Sequence, residues 1–156
     1  AGLNGDTAEG SLLRLKKELS ENKPKLVILG LGGNDMLRGK DKQLEENLNL
    51  LIKEIKSSGA QVVLLGTPTP NILRGMIGSL KDAEVYRKVA KEQQVALIDN
   101  VYSKYLSKNK YKSDQIHLNK EGYYLVAKDI AKELKDYGYE VGKISTKEKT
   151  VIFNKI

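Results

Sequence analysis

The chain holds one histidine, and a carboxylate stands three residues before it in Asp114-Gln115-Ile116-His117. In a tight loop ahead of a helix, that Asp can accept the imidazole Nδ1–H, fix the tautomer and leave Nε2 as a general base. The same spacing also suits a solvated surface histidine beside a helix cap. A second candidate is Gly33-Asn34-Asp35, which follows an apolar run. Glycine admits close backbone approach to a ligand, and the Asn amide is a neutral donor for a developing oxyanion. As plain structure, the segment is a turn in which Asn and Asp are favoured. The third candidate, Asn4-Gly5-Asp6-Thr7, is either a turn with a helix cap or a glycine N–H presented at a helix N-terminus, where anions are stabilised.

Composition removes several competing chemistries. Among 156 residues there is no cysteine, so a disulfide framework, a cysteine nucleophile, an iron–sulfur cluster and a Cys-based zinc site are all excluded. One histidine rules out a two-His metalloprotease motif and a three-His zinc site. Gly30, Gly32 and Gly33 suggest a dinucleotide-binding turn, but Asp35 stands where the third glycine of G-x-G-x-x-G would be. The net charge of +7 comes mainly from lysine, since only Arg14, Arg38, Arg74 and Arg87 are arginines. Those lysines are scattered near acidic residues as on a solvated face, whereas nucleic-acid readers cluster arginine with aromatic platforms. A nucleic-acid partner is therefore not expected, while contact with anionic surfaces stays open. The longest apolar run, Leu26–Leu31, is far shorter than the roughly 20 residues a membrane span needs.

The elements that must position these candidates alternate between helix and strand. Thr7 can cap a helix to about Glu21, with Leu12, Leu13, Leu15 and Leu19 on its apolar side, stopped by Lys23-Pro24. Lys25–Leu31 and Gln61–Leu65 are continuous apolar runs of the type buried on both faces of a parallel sheet. Between them, a helix from Asp41 carries Leu44, Leu48, Leu51, Ile52 and Ile55 in phase and ends before Gly59. A helix over Leu80–Gln93, a strand over Val95–Ile98 and a short helix over Val101–Leu106 come next. Ser107–Asn119 is expected to be a loop, and Asn119 to cap a last helix to about Tyr137. This alternation predicts a three-layer α/β fold with a parallel sheet, in one domain over 1–137 plus a polar, lysine-rich C-terminal extension over 138–156. Its tail, Lys149–Phe153, carries strand-like residues that could pair with an open sheet edge. Three polar segments, Gly32–Asp35, Thr67–Asn71 and the loop carrying Asp114 and His117, fall outside the C-terminal ends of strands, where open parallel sheets bind ligands.

Taken together, the three segments resemble the SGNH (GDSL-type) hydrolases, and most closely a bacterial branch of small thioesterase, lysophospholipase and arylesterase-like proteins. Asn4-Gly5-Asp6-Thr7 with Leu12-x-Arg14-Leu15 is similar to the family's second block, Leu29–Gly39 to its third, and Asp114-x-x-His117-Leu118-Asn119 to its fifth. The resemblance spans about 2–137 and implies a flavodoxin-like α/β/α sandwich. It further implies that Gly5 (backbone N–H) and Asn34 (side-chain N–H) form an oxyanion hole, that His117 is general base and acid, and that Asp114 orients it. A small ester, thioester or lipid would be the substrate, no metal or organic cofactor is implied, and a periplasmic or secreted setting is suggested.

The departures from the family pattern are specific. The first block, G-D-S with the nucleophilic serine on the first strand, does not occur here, and none of the nine serines sits in that motif. Leu118 stands where the family often has proline. The expectation is therefore an ester or thioester hydrolase whose serine and first strand come from an N-terminal segment of roughly 30–50 residues, the scale of a βαβ unit, or from a second chain. The alternatives are an inactive binding domain using the same cleft, or an anion- or nucleic-acid-binding module. Ile72, Leu73 and Met76, in the loop over 67–78, are candidates for an apolar wall against the acyl group.

Overall fold

Apolar residues recurring at helical spacing give the first long element, α1 (Ala8–Asn22), which starts where the Thr7 side chain accepts the Gly10 N–H at 3.1 Å. The chain leaves α1 through Lys23 in the left-handed region (φ 43°), so Pro24 falls just beyond the helix. Next come β1 (Leu26–Leu29), the five-residue α2 (Gly33–Leu37), α3 (Asp41–Ser57), β2 (Gln61–Leu65), α4 (Glu84–Gln93), β3 (Ala96–Ile98), α5 (Val101–Leu106), a 3-10 turn (Asn109–Tyr111) and α6 (Lys120–Asp136). The computed structural model describes residues 2–69 and 80–139. Residues 140–156 of the C-terminal extension expected over 138–156 lie outside these, as do the tail strand and Ile72, Leu73 and Met76.

The three strands are parallel in the order β1-β2-β3, with Leu26 opposite Gln61 and Leu65 opposite Ile98. Side chains alternate across β2, as the two-residue strand period requires. Val62 and Leu64 join the core formed by α1, α3 and α4 through Leu48, Ile52, Ile55 and Val89. Val63 and Leu65 join the core formed by α5 and α6 through Tyr102, Val126 and Ile130. The result is helix, sheet, helix. Four of the five β2 residues are buried, whereas in β1 only Leu29 is. At the far edge the Tyr137 hydroxyl donates to the Leu97 carbonyl at 2.9 Å. Among the described residues β1 pairs with β2 alone, and its other edge carries no hydrogen-bond partner.

Three expectations are corrected. The segment after β1 is not a turn but α2, with Gly32 ahead of it at φ 117°; a Cβ there would lie 2.3 Å from the Tyr86 hydroxyl, which donates to the Leu31 carbonyl at 2.8 Å. Only glycine fits this junction. The first strand is also shorter than its apolar run, because Gly30 and Leu31 leave the ladder to pack against Leu65 and Tyr86. Finally, the helix expected from Leu80 starts at Glu84. Asp82 is instead drawn into a buried network, its Oδ2 accepting the Asn100 N–H at 2.7 Å and its other oxygen bonded by the Ser103 hydroxyl. Its own N–H donates to Asn100 Oδ1 at 3.0 Å, which holds the backbone extended there.

Candidate active site

Beyond the end of β1, α2 turns back over the start of α1. The Asn34 Nδ2–H donates to the Asp6 carbonyl at 2.8 Å, and the Arg38 guanidinium donates to the Gly5 carbonyl at 3.0 Å. Between them the Asp35 carboxylate, only 1% exposed, receives the Ala8 N–H on both oxygens, at 3.0 and 3.2 Å. Asp6 is held from the opposite side by the Ser11 hydroxyl at 2.6 Å and Arg14 at 2.5 Å, and these partners keep its pKa below the usual carboxylate range despite partial burial. Gly5 sits at φ 71°, and its N–H meets no acceptor among the described residues. An Asn amide carries two N–H groups, so Asn34 keeps one after bonding Asp6.

The second part of the site is built within one loop. Asp114 Oδ1 accepts the N–H of Ile116 and of His117, each at 2.8 Å, and Oδ2 lies 2.7 Å from His117 Nδ1. The Ile116 N–H first, and then the His117 ring, pull the Asp114 pKa down to about 2. With an ionised Asp114 as acceptor, Nδ1 carries the proton and Nε2 presents its lone pair. The loop is pinned behind by the Ser113 N–H donating to the His117 carbonyl at 3.0 Å and the Asn119 N–H to the Tyr111 carbonyl at 2.8 Å. The Asn119 side chain caps α6 as expected, accepting the Gly122 N–H at 3.0 Å.

Both parts line one cleft of about 770 Å³, which brings together Gly5, Asn34, Asp114 and His117. All four residues singled out in the sequence meet there. Of the described serines only Ser113 lines this cleft, and its hydroxyl donates to the Leu118 carbonyl at 3.2 Å, so its proton is already engaged. No group of three or more His, Asp or Glu side chains suited to a metal is present among the described residues. Residues 1–125 match the GDSL-like Lipase/Acylhydrolase family.

The chain belongs to this family. It is 41% identical to Esterase TesA of Pseudomonas aeruginosa over 63% of the chain and 49% of that protein. It is 32% identical to Thioesterase 1/protease 1/lysophospholipase L1 of Escherichia coli over 86% of the chain and 65% of that protein. The chain thus spans about half to two thirds of the length of these relatives. The crystal structure of TesA superposes with a TM-score of 0.71 at 31% identity, covering 85% of this chain and 74% of that one. The psychrotrophic esterase EstA of Pseudoalteromonas, at 23% identity and a TM-score of 0.73, shares the fold. These neighbours place the chain among the flavodoxin-like α/β/α folds of SGNH hydrolases.

Sequence reasoning placed Asp35 in a candidate segment without a role of its own, and passed over Arg38 together with Leu37, Ile116 and Tyr123 in the cleft wall. Asp35 was visible only as a turn residue, because its partner Ala8 is 27 positions away. Tyr123 and Lys120 carried a usable signal, since the first turn of a helix capped by Asn119 must face the loop that precedes it.

Proposed function

We propose that this chain forms the oxyanion and general-base half of a serine ester or thioester hydrolase, with the serine supplied by a strand that pairs with the open edge of β1. The observation that carries the reading is the meeting, in one cleft, of two N–H donors and an Asp-oriented imidazole drawn from opposite ends of the chain. In this mechanism His117 Nε2 takes the serine proton as Oγ attacks the acyl carbonyl. The oxyanion accepts from the Gly5 N–H and the free Asn34 N–H. The tetrahedral adduct collapses, His117 gives the proton to the departing alkoxide or thiolate, and water then releases the acyl group by the same route reversed. Asp114 keeps Nδ1 protonated and balances the imidazolium.

Three observations support an added strand. β1 is Leu-Val-Ile-Leu, the composition of a strand buried on both faces, yet three of its four residues are only half-buried. Its outer edge is bare among the described residues, and an uncharged bare edge readily accepts a strand. The relatives are longer, and their names span esterase, thioesterase and lysophospholipase, which favours acyl esters and thioesters as the substrate class. Ile72, Leu73 and Met76 are our candidates for the acyl wall.

Active-site labelling tests the reading. A fluorophosphonate should modify one serine of the natural polypeptide, in a G-D-S segment preceding residue 1, and block hydrolysis of a short aryl ester. The 156-residue chain alone should take no label. Labelling of a serine within this sequence, or His117-dependent hydrolysis by the chain alone, would overturn the supplied-serine mechanism.

A further inference from the structure

Both proposed oxyanion donors sit on segments that nothing local holds at the right separation. Gly5 lies in a loop ahead of α1 with positive φ, and Asn34 lies on a helix of five residues that is too short to be stable alone. Their spacing must come from what joins the two segments. Three hydrogen bonds join them directly, two from α2 and one from Arg38, which follows it: Asn34 donates to the Asp6 carbonyl, Arg38 to the Gly5 carbonyl, and Asp35 accepts the Ala8 N–H, with the exposed Lys40–Glu9 pair further along α1.

The three contacts are unequal. Arg38 is exposed, so water competes for its donors. Asn34 is one of the donors being positioned, so its bond to Asp6 cannot also be the independent reference. Asp35 is buried, and so is Ala8, at 0% exposed. A buried N–H without an acceptor is costly, and the first N–H groups of a helix have no partner within it. The Asp35 carboxylate is the acceptor that closes this gap, and α1 cannot drift from α2 without reopening it. Asp35 is further tied to its own helix, whose end folds back as the Lys40 N–H donates to the Asp35 carbonyl at 2.8 Å.

We propose that Asp35 is a positioning residue of the site, its buried carboxylate locking the Ala8 N–H so that the Gly5 N–H and the Asn34 amide stand at a fixed separation. The inference rests on the assignment of Gly5 and Asn34 as oxyanion donors. Burial raises the Asp35 pKa, against the opposing pull of the Ala8 and its own N–H and of Lys40 and Arg38, so protonation of this carboxylate is a second way to loosen the lock.

Amide NMR of the natural polypeptide that contains this chain, unmodified and as Asp35→Ala and Asp35→Asn, tests the lock without turnover. Asp35→Ala should speed Ala8 amide exchange by about tenfold or more and displace the Gly5 backbone and Asn34 side-chain signals, while Val63 and Leu64 in β2 keep their protection. Asp35→Asn retains an oxygen for the Ala8 N–H and should restore the Gly5 and Asn34 signals. If Asp35→Ala leaves those signals in place, or Asp35→Asn disturbs them equally, the proposal fails. Should Asp35→Ala not fold, the unmodified polypeptide decides: Gly5 and Asn34 signals must move together with the Asp35 carboxyl carbon as that group is protonated, and signals indifferent to its titration overturn the lock. In the catalytically complete enzyme, Asp35→Ala should lower kcat about 10²-fold with KM nearly unchanged, as expected for donors displaced by about 1 Å, and Asp35→Asn should recover most of it. A KM effect alone would overturn the positioning role. Inactive enzyme with an intact lock would count against the hydrolase reading instead.

Discussion

The two sides of the cleft are built in opposite ways. The Asp114–His117 pair is closed by bonds spanning two or three residues, all within one loop, with its side chains 55% and 36% exposed. The Gly5–Asn34 side is closed by bonds between residues 27 to 33 positions apart, and its central carboxylate is buried. On the proposed reading, a local, exposed pair supplies reactivity at little cost to the fold. The proposed donor side takes its geometry from α1 and α2 each packing on α3 and from the bonds between them, so on this reading its chemistry and the stability of the fold are coupled.

Substitutions can break this contrast or sharpen it. The largest effect is expected from His117→Ala, which should lower ester turnover by about 10⁴-fold in the catalytically complete enzyme, at the top of the range for a general acid–base group. Its thermal midpoint should stay within the scatter of a surface substitution, measured by calorimetry; a large drop in midpoint would mean the loop supports the core after all. Asn34→Ala should cost about 10²–10³ in kcat, as loss of one oxyanion donor does. Unlike His117→Ala it should also lower stability measurably, because the Asp6 carbonyl loses its partner. Kinetics near those of the unmodified enzyme would remove the oxyanion assignment.

The same contrast governs the carboxylates. Burial pushes the Asp82 pKa up to about 6, with the neighbouring Asp99 adding to the rise and the Ser103 and Asn100 bonds opposing it. A carboxylate raised in the folded state stabilises it below the unfolded pKa and loses that contribution as pH rises through the folded one. Stability should therefore decline between about pH 4 and pH 6, by an amount on the order of 1–3 kcal/mol from this group. Asp82→Asn should flatten that slope in urea unfolding series, and an unchanged slope would locate the effect elsewhere. Asp114 behaves in the opposite sense. Held down to about 2, it should stay ionised across the neutral range, and its carboxyl carbon should titrate near that value by NMR. In His117→Ala the midpoint should rise only part of the way to 3.8, since the Ile116 N–H remains; a full return would make the imidazole the whole cause.

Elements with strong local signals were legible from the residues alone. β2 and α3 occupy the expected positions because a continuous apolar run and five leucine and isoleucine residues in helical phase leave no competing arrangement. Thr7 and Asn119 cap their helices as side chains of that type do. Asp114 and His117 could be paired on paper, since a carboxylate three residues from an imidazole in a tight loop has few other places to go. What failed was local reasoning about residues whose partners are remote. Leu80–Ala83 has helical company, yet the Asp82 network with Asn100 and Ser103 keeps it extended. Gly33–Leu37 has turn composition, yet it winds into a helix once Gly32 passes under Tyr86 and Asp35 reaches α1.

The sequence by itself therefore determined the order of the elements and the pairing within one loop, and through its family resemblance it pointed to the four candidate site residues. Only the tertiary structure decided that Gly5 and Asn34 face the same cleft as His117, and that Asp35 and Arg38 tie the two donor segments together. The physical reason is range. Capping, periodicity and turn preference act over a few bonds and are written in neighbouring residues. A buried carboxylate is satisfied by whichever N–H the packing of helices on the sheet delivers, and that partner can lie anywhere along the chain.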